Sequence, residues 1–314
     1  MLKKAIITGA TGSIGQALIE CLLKNDVSVT VFLNPKSARN DQILNHFLIN
    51  KIFCDISNYD NVAIDDTDFD YFFHLAWCGT TGNQRNDEQL QIANYNAVLS
   101  SIKLAKRIGC KKYVGIGSQA EYGRKNTPLT ADMSCSPDNY YGKYKLKSGI
   151  NGKKLANKLN LEFNWIRVTS VFGNSRDESS LPSYIIRELT GGNKPQFTLS
   201  EQIWDFLYAV DAADAIFRVA EKGIDGKTYV LGSGMGLELK EYIKTAFKII
   251  APNEIPKFGD LEYSQNQIMY LVADISELRK DTGFVPRFTF EDAIKDVMKR
   301  RIENEKNRHC DSVL

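Results

Sequence analysis

The sequence has no apolar run that approaches the ~18 residues of a transmembrane helix. It also lacks an excess of one charge, because 40 lysines and arginines accompany 38 aspartates and glutamates, for a formal net charge of +2. This balance predicts no strong attraction to nucleic acids or anionic membranes. A strand-like pattern begins at once at the N-terminus, with no secretory signal pattern. We therefore expect a cytoplasmic protein that binds neither nucleic acid nor membrane.

Closely spaced cysteines are missing too. The six cysteines are scattered, without a CxxC pair or metal-ligand spacing: Cys21, Cys54, Cys78, Cys110, Cys135 and Cys310. This pattern predicts no metal site and no disulfide framework, and it is typical of dispersed buried thiols in a reducing compartment. Internal repeats and low-complexity segments are absent. With 43% hydrophobic and 25% charged residues, the composition indicates a globular protein and excludes disordered and fibrous classes.

Short β-branched runs alternate with longer amphipathic stretches through about the first 170 residues. Residues 5–8 predict a strand buried on both faces, and residues 14–23 predict a helix behind it. Further strands are predicted at 27–33, 52–54, 71–75, 113–116 and 164–168, and long helices at about 88–108 and 140–158. Because this alternation requires crossover connections, we expect an α/β fold with a doubly wound parallel Rossmann-type sheet.

The rest of the chain has more loops with mixed signals and predicts a smaller C-terminal α/β substrate lobe. We expect a dinucleotide-binding domain over residues 1–170, with a return segment at about 204–220. Residues 171–203 and 221–300 are expected to form the lobe, and 301–314 a charged tail.

A glycine-rich turn, TGATGSIG, follows the first predicted strand. Gly9 permits a tight turn, Gly12 lets the backbone approach a pyrophosphate, and Gly15 lets helix and strand pack closely. The N–H groups at the start of the helix then face the phosphates. In this strand–turn–helix context the turn predicts a dinucleotide site; a plain tight turn is the alternative. The residues expected to hold the dinucleotide here are Gly9, Thr11, Gly12, Ser13, Ile14 and Gly15.

Tyr141 and Lys145 are four residues apart on a predicted helix and therefore share one helical face. An ammonium beside a phenol is expected to lower the pKa of Tyr141, so that the tyrosine can move a proton near neutral pH. One such pair is also expected by chance, so the position after the fifth strand is the informative part. Ser118 ends that strand, where ligands bind in such sheets, and its hydroxyl can stabilise developing negative charge. A simple strand-end cap is the alternative for Ser118.

Together these elements resemble the extended short-chain dehydrogenase/reductase family of nucleotide-sugar epimerases, dehydratases and reductases. The resemblance extends over nearly the whole chain, through the segments at 54–56, 74–76, 94–96, 167–173, 204–208 and 273–276. It implies that Tyr141 is the general acid, that Lys145 holds the nicotinamide ribose and that Ser118 positions the carbonyl. It further implies cofactor contacts from Asp55, Ile56, Leu75, Ala76, Trp77, Asn94 and Val168. His74, near a strand end, is expected to be structural.

Departures from the family's pattern narrow the reaction. In the 4,6-dehydratases an Asp-Glu pair follows the catalytic hydroxyl and removes water, whereas Gln119 and Ala120 stand there in this chain. GDP-fucose synthase has a cysteine at the place of Gln119, so its chemistry is disfavoured as well. Simple ketone reduction and 4-epimerisation by transient oxidation remain. Segments 117–123 and 204–208 also look similar to the 4-ketoreductases that finish deoxysugars, of the CDP-abequose synthase and dTDP-fucose synthase type.

The end of the second strand separates these two reactions. Epimerases of the family keep NAD bound and have an acidic residue there; we assign that position to Leu33 in this chain. A following loop without a carboxylate but with cations suits a 2′-phosphate. We expect NADP(H) to be preferred over NAD(H); an ordinary solvated basic loop is the alternative. The expected contacts are Asn34, Lys36, Ser37 and Arg39.

The family's arginines for the sugar-nucleotide pyrophosphate are replaced by Trp204 and by the run 263–267. Arg187 and Lys194 are candidates to supply the charge, or else surface residues. The expected contacts to a nucleotide-diphosphate sugar are Thr80, Gln119, Ser170, Leu181, Arg187, Phe197 and Trp204.

The resemblance thus predicts reduction of the 4-keto group of a nucleotide-linked 4-keto-6-deoxyhexose. A nucleotide-sugar 4-epimerase with tightly bound NAD and a non-catalytic dinucleotide sensor are the alternatives. The family also implies a homodimer that pairs the two long helices.

Overall fold

A seven-stranded parallel sheet forms the centre of the protein. The computed structural model describes residues 2–173 and 180–311, with the backbone alone for 304–311. The strands are β1 (Lys4–Thr8), β2 (Ser28–Leu33), β3 (Ile49–Phe53), β4 (Tyr71–His74), β5 (Lys112–Ser118), β6 (Glu162–Val168), β7 (Ser170–Phe172), β8 (Ile203–Trp204), β9 (Phe206–Tyr208), β10 (Thr228–Leu231), β11 (Leu237–Glu238) and β12 (Tyr270–Leu271). The helices are α1 (Ser13–Lys24), α2 (Glu88–Arg107), α3 (Tyr140–Lys158), α4 (Leu181–Thr190), α5 (Ala209–Lys222), α6 (Leu239–Ile250), α7 (Ser276–Thr282) and α8 (Phe290–Asp311).

The strand order of the large sheet is β10-β6-β5-β4-β1-β2-β3. The chain winds outward in one direction from β1 to β3 and in the other direction from β4 onward. The reversal between β1 and β4 is the point at which open α/β sheets bind ligands, beyond the carboxyl ends of the strands. The predicted doubly wound Rossmann-type sheet is confirmed.

Successive side chains of β1 pack into two different cores. Ala5 and Ile7 are buried with Leu18 of α1, whereas Ile6 is buried with Ile102 of α2. Because neighbouring strand residues point to opposite faces of a sheet, helices must cover both faces. This double burial is the reason that β1 is a continuous apolar run.

The smaller lobe contains a three-stranded sheet in the order β11-β8-β12 and the pair β7-β9. The predicted lobe boundary at 221 is wrong, because β10 pairs with β6 in the large sheet, with Thr228 opposite Trp165. Tyr229 and Leu231 of this strand are fully buried. The chain therefore returns to the first domain once more, to complete its sheet, after the expected return segment.

The predicted tail at 301–314 is not a separate segment, because α8 continues through 301 to Asp311. Arg300 donates hydrogen bonds of 3.0 Å to both carboxylate oxygens of Glu20 on α1, and Val297 is buried. These contacts attach the helix to the protein. Residues 312–314 lie outside the described part of the chain. Among the described helices, none combines the length and apolar character needed to span a membrane.

Candidate active site

The carboxyl ends of β1, β4, β5 and β6 form one edge of the large sheet. Thr8 lies opposite His74, His74 opposite Gly115, and Ser118 opposite Val168. The glycine turn after β1, the segment after β4, Ser118 and Val168 therefore follow one another along this edge. Residues from four separate stretches of sequence are in this way brought to one place.

The glycine turn is tight on one side and open on the other. Gly9 has a φ of +74°, and a Cβ there would lie 2.6 Å from the Ala76 nitrogen. A Cβ on Gly15 would lie 2.3 Å from the Gly9 oxygen, whereas one on Gly12 would meet only that oxygen, at 3.6 Å. The residue before α1 is Gly12, which has no side chain to cap the helix start. Backbone N–H groups at such a helix start fit the pyrophosphate of a dinucleotide.

The loop after β2 presents two cations to solvent. Lys36 and Arg39 are exposed; the Lys36 backbone N–H donates to Asn34 Oδ1 at 2.9 Å, and that of Arg39 to Ser37 Oγ at 3.3 Å. The assignment of the strand-end position to Leu33 is wrong, because this side chain is 1% exposed in the core and Asn34 is exposed. The residue that can meet an adenosine ribose at this strand end is therefore Asn34.

Asp55 lies close to the same loop. Its Oδ1 accepts hydrogen bonds from Ser57 N at 3.0 Å and Ser57 Oγ at 2.7 Å, which cap a 3₁₀ turn that begins at Ile56. These hydrogen bonds, and to a smaller extent the charge of Lys36, hold the pKa of Asp55 below its ordinary value. An ionised carboxylate therefore faces the cationic loop from the end of β3.

Two amides on α2 hold the segment after β4. Asn94 Nδ2 donates to the Cys78 oxygen at 2.8 Å, and Cys78 N donates to Asn94 Oδ1 at 2.9 Å. The Trp77 indole N–H donates to Oε1 of Gln91, a fully buried residue, at 2.7 Å. Asn94 thus acts on this site through the backbone of Cys78. Cys78 is exposed, so the prediction of a buried thiol is wrong at this position.

His74 is 2% exposed, and its Nδ1 lies 3.0 Å from Thr8 Oγ1, which also accepts a hydrogen bond from Ala76 N. Burial lowers the pKa of His74 to about 3, so the imidazole is neutral. The residue joins two strand ends, as its expected structural role requires.

Ser118 is both a cap and a neighbour of the tyrosine. Its Oγ accepts a hydrogen bond from Ala120 N at 3.2 Å, and its own N–H donates to Glu121 Oε1 at 2.9 Å. The hydroxyl also lowers the pKa of the neighbouring Tyr141 phenol. Since Oγ accepts from Ala120 N, its proton can be donated to another acceptor. The two interpretations of Ser118 are therefore compatible.

The prediction that Lys145 lowers the pKa of Tyr141 is wrong. Burial raises the pKa of this tyrosine, against smaller lowering effects from Ser118 and Arg85. Lys145 Nζ donates to the Ile116 oxygen at 2.6 Å and lies 6.0 Å from the centre of the Tyr141 ring. The ammonium is thus hydrogen-bonded to a backbone carbonyl. Burial also lowers the pKa of Lys145 to about 7.

A cavity of about 400 Å³ is lined by four of the predicted substrate residues: Ser170, Leu181, Phe197 and Trp204. Gln202 also lines it; this residue is 3% exposed, and its Oε1 has no hydrogen-bond partner among the described residues. Arg187 is not in the lining and pairs with the neighbouring Glu188 at 3.1 Å. Lys194 lines a separate cavity. Neither cation that we considered for a pyrophosphate faces this space.

The sequence profile of the NAD dependent epimerase/dehydratase family matches residues 5–232. The chain belongs to this family. CDP-abequose synthase of Salmonella typhimurium is 26% identical over 308 residues, which cover 94% of this chain and 97% of that protein. The resemblance to extended short-chain dehydrogenases/reductases is thereby confirmed.

Solved structures show the same fold at low identity. UDP-N-acetylglucosamine 4-epimerase from Methanobrevibacter ruminantium M1, in complex with UDP-N-acetylmuramic acid, has a TM-score of 0.86 at 23% identity and covers 96% of this chain and 99% of its own. The Bordetella bronchiseptica enzyme WbmG, in complex with NAD, has a TM-score of 0.80 at 19% identity, with 95% of this chain and 94% of its own covered. At these identities the likeness concerns the fold of this family member alone.

Sequence reasoning missed a buried ion pair beneath the edge of the sheet where the carboxyl ends of the strands lie. Glu121 is fully buried and accepts hydrogen bonds from Arg167 Nε at 2.8 Å and Trp165 Nε1 at 3.0 Å. Two of its partners come from β6 and the third is Ser118 N. Both charged residues lie in segments that resemble the family, but no local pattern shows that they meet.

Arg85 is the second residue that sequence reasoning missed. Its guanidinium carbon lies 4.6 Å from the centre of the Tyr141 ring. The residue belongs to a 3₁₀ turn, Gly82–Asn86, which precedes α2. A single arginine in a polar connection has no periodicity or motif, so no sequence signal could have found it.

Proposed function

We propose that this protein is an NAD(P)H-dependent reductase of the 4-keto group of a nucleotide-linked 4-keto-6-deoxyhexose. The observation that carries the proposal is the identity of the residues that follow Ser118, none of which can serve as an acid or base in the site. Gln119 and Ala120 cannot ionise, and Glu121 is held by Arg167 below the site. Elimination of water requires an acid and a base, whereas ketone reduction requires one proton donor. Tyr141, beside Ser118, is a single proton donor of this kind.

The state of Tyr141 suits the reducing direction. Because burial raises the pKa of this phenol, it stays protonated at neutral pH and can donate its proton to a carbonyl oxygen that is becoming an alkoxide. The Ser118 hydroxyl hydrogen-bonds the same oxygen and stabilises its charge. Lys145 would hold the ribose of the nicotinamide. A bound nicotinamide cofactor supplies the hydride.

The glycine turn supports binding of a dinucleotide, and the exposed cations after β2 support NADP(H) in preference to NAD(H). Asn34 presents an amide at the strand end, where a carboxylate would repel a 2′-phosphate. Lys36 and Arg39 are free to approach such a phosphate. The nearby Asp55 weakens this preference, since its charge opposes the phosphate.

The cavity beside Trp204 supports a nucleotide-diphosphate sugar as the substrate. Leu181 and Phe197 offer apolar surface to a nucleoside, and the unpartnered Gln202 Oε1 offers a buried acceptor to an N–H or O–H group. CDP-abequose synthase matches nearly the whole chain, and UDP-N-acetylglucosamine 4-epimerase shares the fold. We also propose the homodimer of the family, with α2 and α3 of two copies packed together.

Turnover of a substrate panel tests the proposal. NADPH is mixed with CDP-, dTDP-, UDP- and GDP-4-keto-6-deoxyhexoses; the loss of nicotinamide absorbance is followed, and the product is identified by NMR. We expect stoichiometric oxidation of NADPH and a hydroxyl at C4 with one panel member. A dTDP- or CDP-hexose incubated with NAD should give no 4-keto-6-deoxy product, and its formation would contradict the absence of an eliminating pair.

The second candidate is a nucleotide-sugar 4-epimerase that retains NAD. It is favoured by the 4-epimerase fold neighbour and by the same Ser118, Tyr141 and Lys145 set, which hydride-transfer epimerases also use. The purified protein distinguishes the two. Stoichiometric NAD released on denaturation, together with 4-epimerisation of a UDP-hexose and no net NADPH oxidation, would replace the reductase proposal.

A further inference from the structure

We propose that Arg85 is a positioning residue for proton transfer, whose guanidinium stabilises the phenolate left when Tyr141 has given up its proton. The inference rests on the proposed function, in which Tyr141 is the proton donor. In that step the O–H bond of Tyr141 breaks and an O–H bond forms on the reduced carbonyl oxygen. The negative charge of that oxygen moves to the phenol, where a cation must meet it.

The guanidinium of Arg85 stands against the aromatic ring of Tyr141, with its central carbon 4.6 Å from the ring centre. This distance lies well inside the ~6 Å limit of cation–π attraction. A phenolate ring carries delocalised negative charge, so the attraction grows when the tyrosine ionises. Within the described residues Arg85 forms no ion pair, and it is only partly exposed. Its charge is therefore not neutralised by a carboxylate.

One buried amide fixes the turn that bears Arg85. Gln91 Nε2 donates to the Gln84 oxygen at 2.9 Å and to the Gly79 oxygen at 3.0 Å. Its Oε1 accepts from the Trp77 indole, whose ring meets the Tyr141 ring edge-on at 6.1 Å. The turn and the indole are thus held by the same fully buried side chain. This support makes the place of Arg85 beside the phenol a built feature of the fold.

Lys145 is less suited to this task in the same structure. Its Nζ is hydrogen-bonded to the Ile116 oxygen and is 6.0 Å from the Tyr141 ring centre, farther than Arg85. Burial lowers the pKa of Lys145 to about 7, so part of its charge is lost at neutral pH. A guanidinium stays protonated throughout this range. Arg85 is therefore the cation that persists beside Tyr141.

Besides Arg85, the hydroxyl and charged groups near Tyr141 come from β5, from the turn that follows it and from α3 itself. From β5 the Ser118 hydroxyl, like Arg85, lowers the pKa of the phenol; from the following turn the Glu121 carboxylate raises it. The Glu121 charge is paired with Arg167. Lys145 comes from the same helix. Removal of Arg85 therefore leaves burial and Glu121 opposed by the neutral Ser118 and by the more distant Lys145.

The test compares Arg85→Gln, Arg85→Lys and a control, Lys147→Met. Lys147 lies on the same helix as Tyr141, with its ammonium 4.8 Å from the Tyr144 ring centre, and it is exposed. In the reducing direction the rate falls at alkaline pH as Tyr141 loses its proton. Arg85→Gln should move this alkaline limb of kcat upward by about one pH unit and lower kcat about threefold, with KM nearly unchanged. Arg85→Lys should restore most of kcat and bring the alkaline limb most of the way back, and Lys147→Met should match the wild type.

A second measurement needs no substrate. The tyrosinate absorbance of each protein is titrated and that of its Tyr141→Phe version is subtracted, which isolates Tyr141. The isolated titration should move upward by about one unit in Arg85→Gln. An unmoved titration would overturn the proposal, and so would an unshifted pH profile with KM raised tenfold, which would make Arg85 a substrate ligand. If the wild type reduces no ketosugar, the proposed function fails, while the titration still decides the role of Arg85.

Discussion

The ammonium of Lys145 lies 3.9 Å from the centre of the Trp77 indole ring. A π face and one backbone carbonyl are thus its nearest partners, and the helix spacing that pairs Lys145 with Tyr141 does not bring the ammonium to the phenol oxygen. The lysine is nearly fully buried, without a carboxylate in hydrogen-bond contact among the described residues. Its protonation should therefore be visible in the stability of the protein.

Lys145→Met should remove a pH dependence of the unfolding free energy. Burial lowers the pKa of Lys145 from 10.5 to about 7, so between these values the unfolded chain binds the extra proton and stability rises with pH. The unfolding free energy of the wild type should rise relative to that of the variant by up to about 1.4 kcal/mol per pH unit across this window. Urea denaturation at pH 7, 8 and 9 measures it, with Lys147→Met as the control. Parallel curves for wild type and Lys145→Met would contradict the buried, neutral amine.

Tyr141→Phe should abolish most of the turnover while leaving dinucleotide binding in place. The substitution removes only the proton donor, and general acid–base catalysis contributes on the order of 10²–10⁴-fold. Tyr144→Phe is the matched control, because Tyr144 lies on the same helix as Tyr141 and its hydroxyl donates one hydrogen bond to Glu88 Oε1, at 3.0 Å. Steady-state rates and cofactor fluorescence titrations provide the comparison. Near wild-type turnover in Tyr141→Phe would refute the assignment.

Glu121→Gln should destabilise the protein by about 3–5 kcal/mol, because it leaves the Arg167 guanidinium in a buried site without its counter-charge. The double variant Glu121→Gln with Arg167→Met should recover part of the loss. Glu291→Gln breaks an exposed pair with Lys295 and should lower the stability much less, because solvent screens this pair. Urea midpoints of the four proteins test the expectation, which fails if the buried and exposed single variants are equally stable.

Asn34→Asp should reverse the cofactor preference. The wild type is expected to favour NADPH about tenfold, or ~1.4 kcal/mol, through Lys36 and Arg39, and less as salt is raised. A carboxylate at the exposed strand end would repel the 2′-phosphate and accept hydrogen bonds from the ribose hydroxyls of NADH. Asn253→Asp, an exposed change of equal charge in the other lobe, controls for net charge. The kcat/KM values for both cofactors decide the matter; better use of NADH by the wild type would defeat the proposal.

The sequence by itself determined the features that depend on neighbouring residues. The predicted helix over 140–158 coincides with α3, and the glycine turn lies between β1 and α1 as expected. Alternating strands and helices allow few topologies, because parallel strands require crossovers of one hand. The glycine spacing indicates where two backbone segments approach each other closely, as they do at Gly9 and Gly15.

The tertiary structure decided which way side chains point and which distant residues meet. Leu33 and Asn34 are adjacent in sequence, but the packing of β2 buries one and exposes the other. The contact of Arg85 with Tyr141 and that of Lys145 with Trp77 join elements far apart along the chain. Such contacts leave no local pattern, because they arise only when the sheet and its helices are assembled. The electrostatic surroundings of the candidate proton donor are for this reason a property of the folded protein.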